Sequence, residues 1–367
     1  MQRQGSFADL EASGQRRRTR RERFLEQMEA IVPWREWVAL IESHYPDGRR
    51  GRRPVGCERM LRMYLLQVWF HLSDEACEDA VLDSRAMQRF VGIDMMSEQV
   101  PDATTLLKFR HLLEGEGLGE GMLAELVSIL DERGIIMRGG SIVDATFVES
   151  PSSTKNRERS RDPEAHQAKK GNNWHFGYKA HAGVDAGTGL VHTVEVTAAN
   201  VSDVAVAPSL LRPDDEFCYA DAGYTGAQGR QQAPGHPDPS EVTWRIARRR
   251  SRIPGRDHPE VSWERGIESS LSRVRSKVEH PFHAVKDLFG PGRTRYRGLE
   301  KNRNQLCVAL ALADLALLVA SVFVVYEGWR GLSGCRVLLF SGGMPPEKTL
   351  LCPYPTTPWR IRQAPPS

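Results

Sequence analysis

One acid set inside an apolar strand restricts what this chain can become. The run Ser141-Ile-Val-Asp-Ala-Thr is apolar and β-branched except at Asp144, and the apolar pattern continues to Val148. A carboxylate in a strand that must be buried is costly unless it is paired or holds a cation. The run also marks a change of pattern. From about residue 25 to 133 the periodicity is helical: Met60, Leu61, Tyr64, Leu65, Val68 and Trp69 recur at three- and four-residue steps, as one buried face requires. Ser73 and Asp102 are placed to cap helices, and Met122–Leu130 is a further amphipathic run. After Gly139 strand signals take over. His175–Val184 and Leu190–Thr197 read as a hairpin turned by Asp185-Ala-Gly-Thr-Gly; Glu216–Ala220 and Val242–Ala247 are further strands. Residues 150–173 read as a polar loop, Ser202 as the cap of a helix over 203–211, and Glu264–Phe289 as a long helix that Pro281 should kink or interrupt. The expected class is α/β: a mixed sheet with flanking helices, preceded by an all-helical region.

Two further acids fall where chemistry would place them. Asp221 ends the strand Phe217-Cys-Tyr-Ala, with Gly223 and Gly226 permitting a tight turn beyond it. Ligands commonly lie beyond the carboxyl ends of strands in such sheets. On the predicted helix each residue advances about 100°, so Arg275 and His283 lie about 40° to either side of Glu279, and Lys286 about 20° away. Arg275, Glu279, His283 and Lys286 would then form one polar stripe, serving either a solvated face or a metal and a phosphate.

The net charge of +3 hides an uneven distribution, because many of the 50 Lys and Arg residues are Arg in short runs. Residues 1–24 form a basic arm; Arg245, Arg248, Arg249, Arg250, Arg252 and Arg256 form a stripe without an acid; Arg293, Arg295 and Arg297 form another. Such stripes suit phosphate oxygens. No two of the six cysteines form a Cys-x-x-Cys pair, which argues against a zinc ribbon. The polar, Arg-rich opening and free thiols lead us to expect a cytoplasmic protein. Val308–Val325 is apolar enough for a short membrane span, yet contains Asp314, and is read as a core helix. The aromatics beside the predicted strand, Trp174 and Tyr178, are assigned to packing.

A longer set of words gives these residues a context. They include Asp102-Ala-Thr-Thr-Leu-Leu-Lys-Phe-Arg, Pro151-Ser-Ser-Thr-Lys-Asn, Lys169-Lys-Gly-Asn-Asn-Trp-His-Phe-Gly-Tyr-Lys-Ala-His, Ala198-Ala-Asn-Val-Ser-Asp, Ala220-Asp-Ala-Gly-Tyr-Thr-Gly, Val278-Glu-His-Pro-Phe and Arg295-Tyr-Arg-Gly-Leu-Glu-Lys-Asn. Over roughly residues 5–320 the chain resembles bacterial insertion-sequence transposases of the IS-four and IS-five groups, which carry a DDE triad. Their third-acid signature, Tyr-x2-Arg-x3-Glu-x6-Lys, is met at Arg275, Glu279 and Lys286, while Ser272 stands at the tyrosine position. The resemblance implies a ribonuclease-H-like fold with Asp144, Asp221 and Glu279 as catalytic, metal-binding acids for two Mg²⁺ or Mn²⁺ ions. It implies double-stranded DNA as partner, both the element's terminal inverted repeats and the target, a homodimer on DNA, and a nucleoid-associated location.

The resulting division is a basic arm over 1–24, a DNA-end-binding helical domain over 25–135, a catalytic domain over 136–325 and an irregular tail over 326–367. Arg275, Lys286, Lys169, Lys170, Arg248, Arg249, Arg250, Arg295 and Arg297 are the expected DNA contacts. Two alternatives share the same residues: a ribonuclease-H-fold nuclease that cuts without joining, and a decayed or domesticated copy that binds DNA without cutting.

Overall fold

The computed structural model describes residues 18–46, 48, 53–155, 159–248, 261–288 and 292–330. Its first region is helical: α1 (Arg20–Ile31), α2 (Trp34–Glu42), α3 (Cys57–Trp69), α4 (Asp74–Asp83), α5 (Arg85–Val91), α6 (Ala103–Gly115) and α7 (Leu118–Glu132). Ser73 and Asp102 cap helices as read, and Thr19, not singled out in the sequence, does so too. Thr19, Ser73 and Asp102 accept the backbone N–H of Glu22, Ala76 and Thr105, which satisfies a donor that the first turn leaves without a partner. The arm expected over 1–24 lies outside the described residues up to 17, and from Arg20 it is the start of α1.

Helix α3 departs from the one-sided burial its periodicity suggests. Every residue from Met60 to Trp69 is buried, Arg62 and Gln67 included, because the other helices surround it. Arg62 and Gln67 have partners, whereas the buried Trp69 Nε1 has no hydrogen bond. Arg62 sits between Glu29 and Glu58 with its guanidinium 4.0 Å from the Trp34 ring. Gln67 donates to Asp74 at 2.6 Å, and Asp74 is also paired with Arg110. Such pairing is what makes a buried charge tolerable.

The sheet has six strands: β1 (Ser141–Glu149), β2 (His166–Lys170), β3 (Asn173–Asp185), β4 (Val191–Ala198), β5 (Phe217–Ala220) and β6 (Thr243–Ile246). The order is β2-β3-β1-β5-β6, with β4 also on β3. β1 pairs antiparallel with β3 and parallel with β5, and β5 pairs parallel with β6. This is the mixed α/β arrangement expected from the sequence, with the β4-β3-β1-β5-β6 order of a ribonuclease-H-like sheet. The predicted hairpin is β3 and β4. The segment expected to be a loop over 150–173 contains β2, whose alternation is hidden because four of its five residues are exposed. The helix expected over 203–211 is one turn, α8 (Asp203–Val206), followed by a tighter turn Ala207–Leu210, and Ser202 makes no side-chain cap bond.

The predicted helix over 264–289 is not continuous. It is α9 (Val261–Arg275), a tight turn Ser276–Val278, α10 (Glu279–His283) and a wide turn Ala284–Leu288. The last helix, α11 (Leu299–Arg330), carries the apolar run and is long and apolar enough to cross a membrane, yet Leu306–Leu315 is buried in the protein core. It ties the helical region to the sheet. Asn304 accepts the N–H of Gly119 at 2.7 Å, and both carboxyl oxygens of Asp314 face the N–H of Val191, at 3.0 and 3.1 Å. The segment expected to be irregular from 326 is helical to Arg330, and 331–367 lies outside the described residues.

Complete burial pushes the Asp314 carboxyl well above its ordinary range, with the Val191 N–H pulling the other way. A carboxyl whose folded pKa is raised costs stability as pH rises above its unfolded value of about 3.9. Asp314→Asn keeps an acceptor for Val191 and removes the charge. At pH 7 it should therefore melt at or above the wild-type temperature, and the difference should shrink toward pH 4. A variant melting several degrees below wild type at pH 7 would show that the carboxylate is ionised and stabilising.

Candidate active site

The parallel ladder between β1 and β5 brings the first two acids together. Ser141 pairs with Cys218 and Ile142 with Tyr219, an offset of 77 residues. The same offset, continued past the end of β5, would set Asp144 level with Asp221, and the charge of Asp221 is felt at Asp144. Neighbouring strands lie about 4.8 Å apart, and in a parallel pair level residues point to the same side. Asp221 follows β5 directly and accepts the N–H of Gly223 at 2.7 Å, which fixes the tight turn Ala222–Tyr224. Gly226, at φ +92°, lets the chain turn once more. Asp144 accepts the N–H of Ala145 at 2.8 Å.

The electrostatics reflect this neighbourhood. Burial raises the Asp144 carboxyl above the ordinary carboxylate range and the charge on Asp221 pushes it the same way, while the Ala145 N–H, Arg275 and Lys170 oppose the rise. Two carboxylates facing each other in a half-buried position are unfavourable without a cation between them. Beneath them lies Tyr224, fully buried, whose hydroxyl makes no hydrogen bond. Burial raises its pKa well above the usual phenol value, and Asp144, Asp203 and Asp221 add to the rise. Sequence reasoning did not single out this tyrosine; its position three residues after Asp221 in the same turn was the available signal.

The turn before Glu279 is anchored to the sheet region. Val278 is buried, and the Lys277 ammonium donates to the carbonyls of Ala186 and Gly187, both at 2.6 Å, at the end of β3. Glu279 itself is exposed as the first residue of α10. Among the described residues no three acids, histidines or cysteines are close enough to hold an ion. The expected stripe is corrected in the same way: the tight turn breaks the 100° stepping between Arg275 and Glu279. Lys286 donates instead to Thr146 on β1, two residues beyond Asp144. Arg275 is partly buried, close enough to stabilise the Asp144 carboxylate, and its Nε is buried without a hydrogen bond.

The other basic residues divide. Lys169 and Lys170 are exposed on β2. Arg248 is paired with Glu264 at 3.2 Å and Glu268 at 3.8 Å, and Arg249 and Arg250 lie outside the described residues. Arg295 donates to the carbonyl of Leu72, so it ties this segment to the helical region. Arg297 donates to Ser160. His283 is exposed and His181 fully buried. Tyr178 packs in the core as read, but Trp174, assigned to packing, is 66% exposed because β1 ends opposite Gly177 and leaves the start of β3 with β2 alone.

The carboxylates of Asp144 and Asp221 are donors of the kind that a hard divalent cation prefers. Asp221→Asn removes the repulsion facing Asp144. In a chelator this variant should melt at a higher temperature than wild type. Adding millimolar Mn²⁺ should raise the wild-type melting temperature and leave the variant unchanged. Equal Mn²⁺ shifts in both would remove Asp221 from the metal site.

Two family models match the chain. The family model described as "Transposase DDE domain" matches residues 137–315, and that described as "Transposase domain (DUF772)" matches residues 13–112. Among solved structures the chain is similar to one titled "Cryo-EM structure of piggyBac transposase synaptic complex with hairpin DNA (SNHP)". The two are 11% identical with a TM-score of 0.41, over 83% of this chain and 74% of that one. With one transposase model over its helical region and the other over the sheet that carries both aspartates, the protein is a DNA transposase with a DDE catalytic domain.

Proposed function

We propose that this chain is the transposase of a bacterial insertion sequence of the IS-four/IS-five group, acting in the cytoplasm on the element's terminal inverted repeats and on target DNA. Asp144, Asp221 and Glu279 are its metal-binding acids. What supports this reading is the charge of Asp221 felt at the buried Asp144, as the offset of the β1–β5 ladder leads one to expect, with Arg275, its Nε buried without a hydrogen bond, also acting on Asp144.

The reaction exchanges phosphodiester bonds. Water attacks the phosphate at the element's end, a P–O bond breaks, and the freed 3′-hydroxyl attacks a target phosphate in the same site. The divalent ions proposed here, two Mg²⁺, would promote deprotonation of the attacking oxygen and offset charge on the leaving oxygen. Arg275 holds a non-bridging phosphate oxygen beside Asp144, its guanidinium already partly desolvated. Lys286, aligned through Thr146, gives a second positive charge along β1. Tyr224, with its hydroxyl directed into this acidic surrounding, keeps the two aspartates apart from the apolar layer beneath. Lys169, Lys170 and Arg297 add phosphate contacts at the edge. Glu279, exposed at the start of α10, completes the site when cation and DNA are present. The helical region recognises the terminal repeats, and a homodimer brings two ends together.

A plasmid carrying the gene with its natural flanks, incubated with purified protein and Mg²⁺, should be cut at the element's ends. Glu279→Gln and Asp144→Asn should each lower cutting by at least about a hundredfold while leaving end binding intact, since only ion ligands are lost. Cutting of the flanks by Glu279→Gln at the wild-type rate would remove Glu279 from the triad. Cutting without joining to target would favour a nuclease, and binding without cutting by wild type would favour a decayed copy.

A further inference from the structure

The ribbon formed by β2 and the start of β3 has no structural explanation in the catalytic reading. β1 ends opposite Gly177; the Phe176 carbonyl still accepts the Ser150 N–H, and beyond it residues 173–175 pair along the backbone only with 168–170. His166, Gln167 and every residue from Lys169 to Trp174 are exposed. A two-stranded hairpin standing alone in water is marginally stable, and one that exposes a tryptophan is costlier still. Trp174 is 66% exposed, with the Lys169 ammonium 6.0 Å from its ring. No acid occurs between Ala165 and Val184, whereas Lys169, Lys170, Asn172 and Asn173 cluster at the tip. Lys170 is also close enough to Asp144 to favour its charged form, so the ribbon stands beside the catalytic carboxylates.

We propose that the β2–β3 ribbon enters the DNA major groove beside the bond being cut. Lys169 and Lys170 take the flanking phosphates, Asn172 and Asn173 meet base edges, and Trp174 lays its ring against sugar and thymine-methyl surface. The major groove, about 12 Å wide, admits a two-stranded ribbon, and asparagine amides suit the donor and acceptor pattern of adenine. A cationic tip without acids complements a polyanion, and the single exposed ring offers too little apolar area for a stable protein interface. This rests on the transposase reading, and adds to it an element that reads sequence at the cut from the catalytic region rather than from the helical one.

The test uses the full chain and a duplex carrying the gene's own flanking end. The variants are Lys169→Ala/Lys170→Ala, Asn172→Ala/Asn173→Ala and Trp174→Ala, with Asp221→Asn as the site control, each checked for unchanged circular dichroism. The lysine pair should lower the salt dependence of binding by about two in the log–log slope. The asparagine pair should keep that slope and lose about tenfold in preference for the flanking end over an unrelated duplex. Trp174→Ala should weaken end binding about tenfold, and methylation of guanine N7, a major-groove atom, should no longer interfere near the cut. If all three variants keep the wild-type slope, preference and interference pattern while wild type cuts and Asp221→Asn does not, the ribbon is not a groove element and the transposase reading stands. If wild type neither binds nor cuts the flanking end, both fall.

Discussion

The position of β1 between an antiparallel and a parallel neighbour governs the rest of this molecule. Antiparallel pairing with β3 spans the whole of β1, from Ser141 to Glu149, and fixes its pleat. Parallel pairing with β5 is short, Ser141 and Ile142 only, and Asp221 follows at once. The ladder sets an offset of 77 residues and then ends, so that the chain after Asp221 turns away at Gly223 and Gly226.

The surroundings keep this arrangement rigid while leaving it charged. Tyr224 and Val143 join the small core under β5 and β6. On the other side Ala180, Ala182 and Val184 of β3 pack in the main core with α11, and that core continues into the helical region. The helical and catalytic regions therefore share one apolar interior, joined further by Asn304 to Gly119 and by Arg295 to Leu72. DNA bound to the helices would be held in fixed relation to the carboxylates, which a flexible joint would not provide. Glu279 is the exception. It is exposed as the first residue of α10, directly after the tight turn Ser276–Val278.

Much of this could be read in the sequence, and what could not has physical reasons. Ser141–Val148, the β3–β4 hairpin and the strand ending at Asp221 were legible because their apolar, β-branched runs are buried and their turns use Gly or Asp. Asp144 and Asp221 stood out because an acid interrupts or ends an apolar strand. Their spacing of 77 is the β1–β5 register, but a register cannot be recognised before strands are paired. The β2 strand escaped because its exposed faces carry no apolar alternation. α3 seemed one-sided, because its outward polar positions, Arg62 and Gln67, are buried through partners distant in sequence. The stripe from Arg275 to Lys286 assumed a continuous helix, whereas burial of Val278 and the bonds of Lys277 favour a tight turn there. Arg295 looked like part of a phosphate stripe because its acceptor, the Leu72 carbonyl, lies in another region of the chain.

The most direct test of this account is anomalous scattering from crystals of the protein grown with Mn²⁺ and its DNA end. The account predicts a manganese peak between the carboxylates of Asp144 and Asp221, with Glu279 drawn in from its exposed position to the same ion or to a second ion beside it. A peak held by other residues, or Asp144 and Asp221 lying apart with no ion between them, would contradict it.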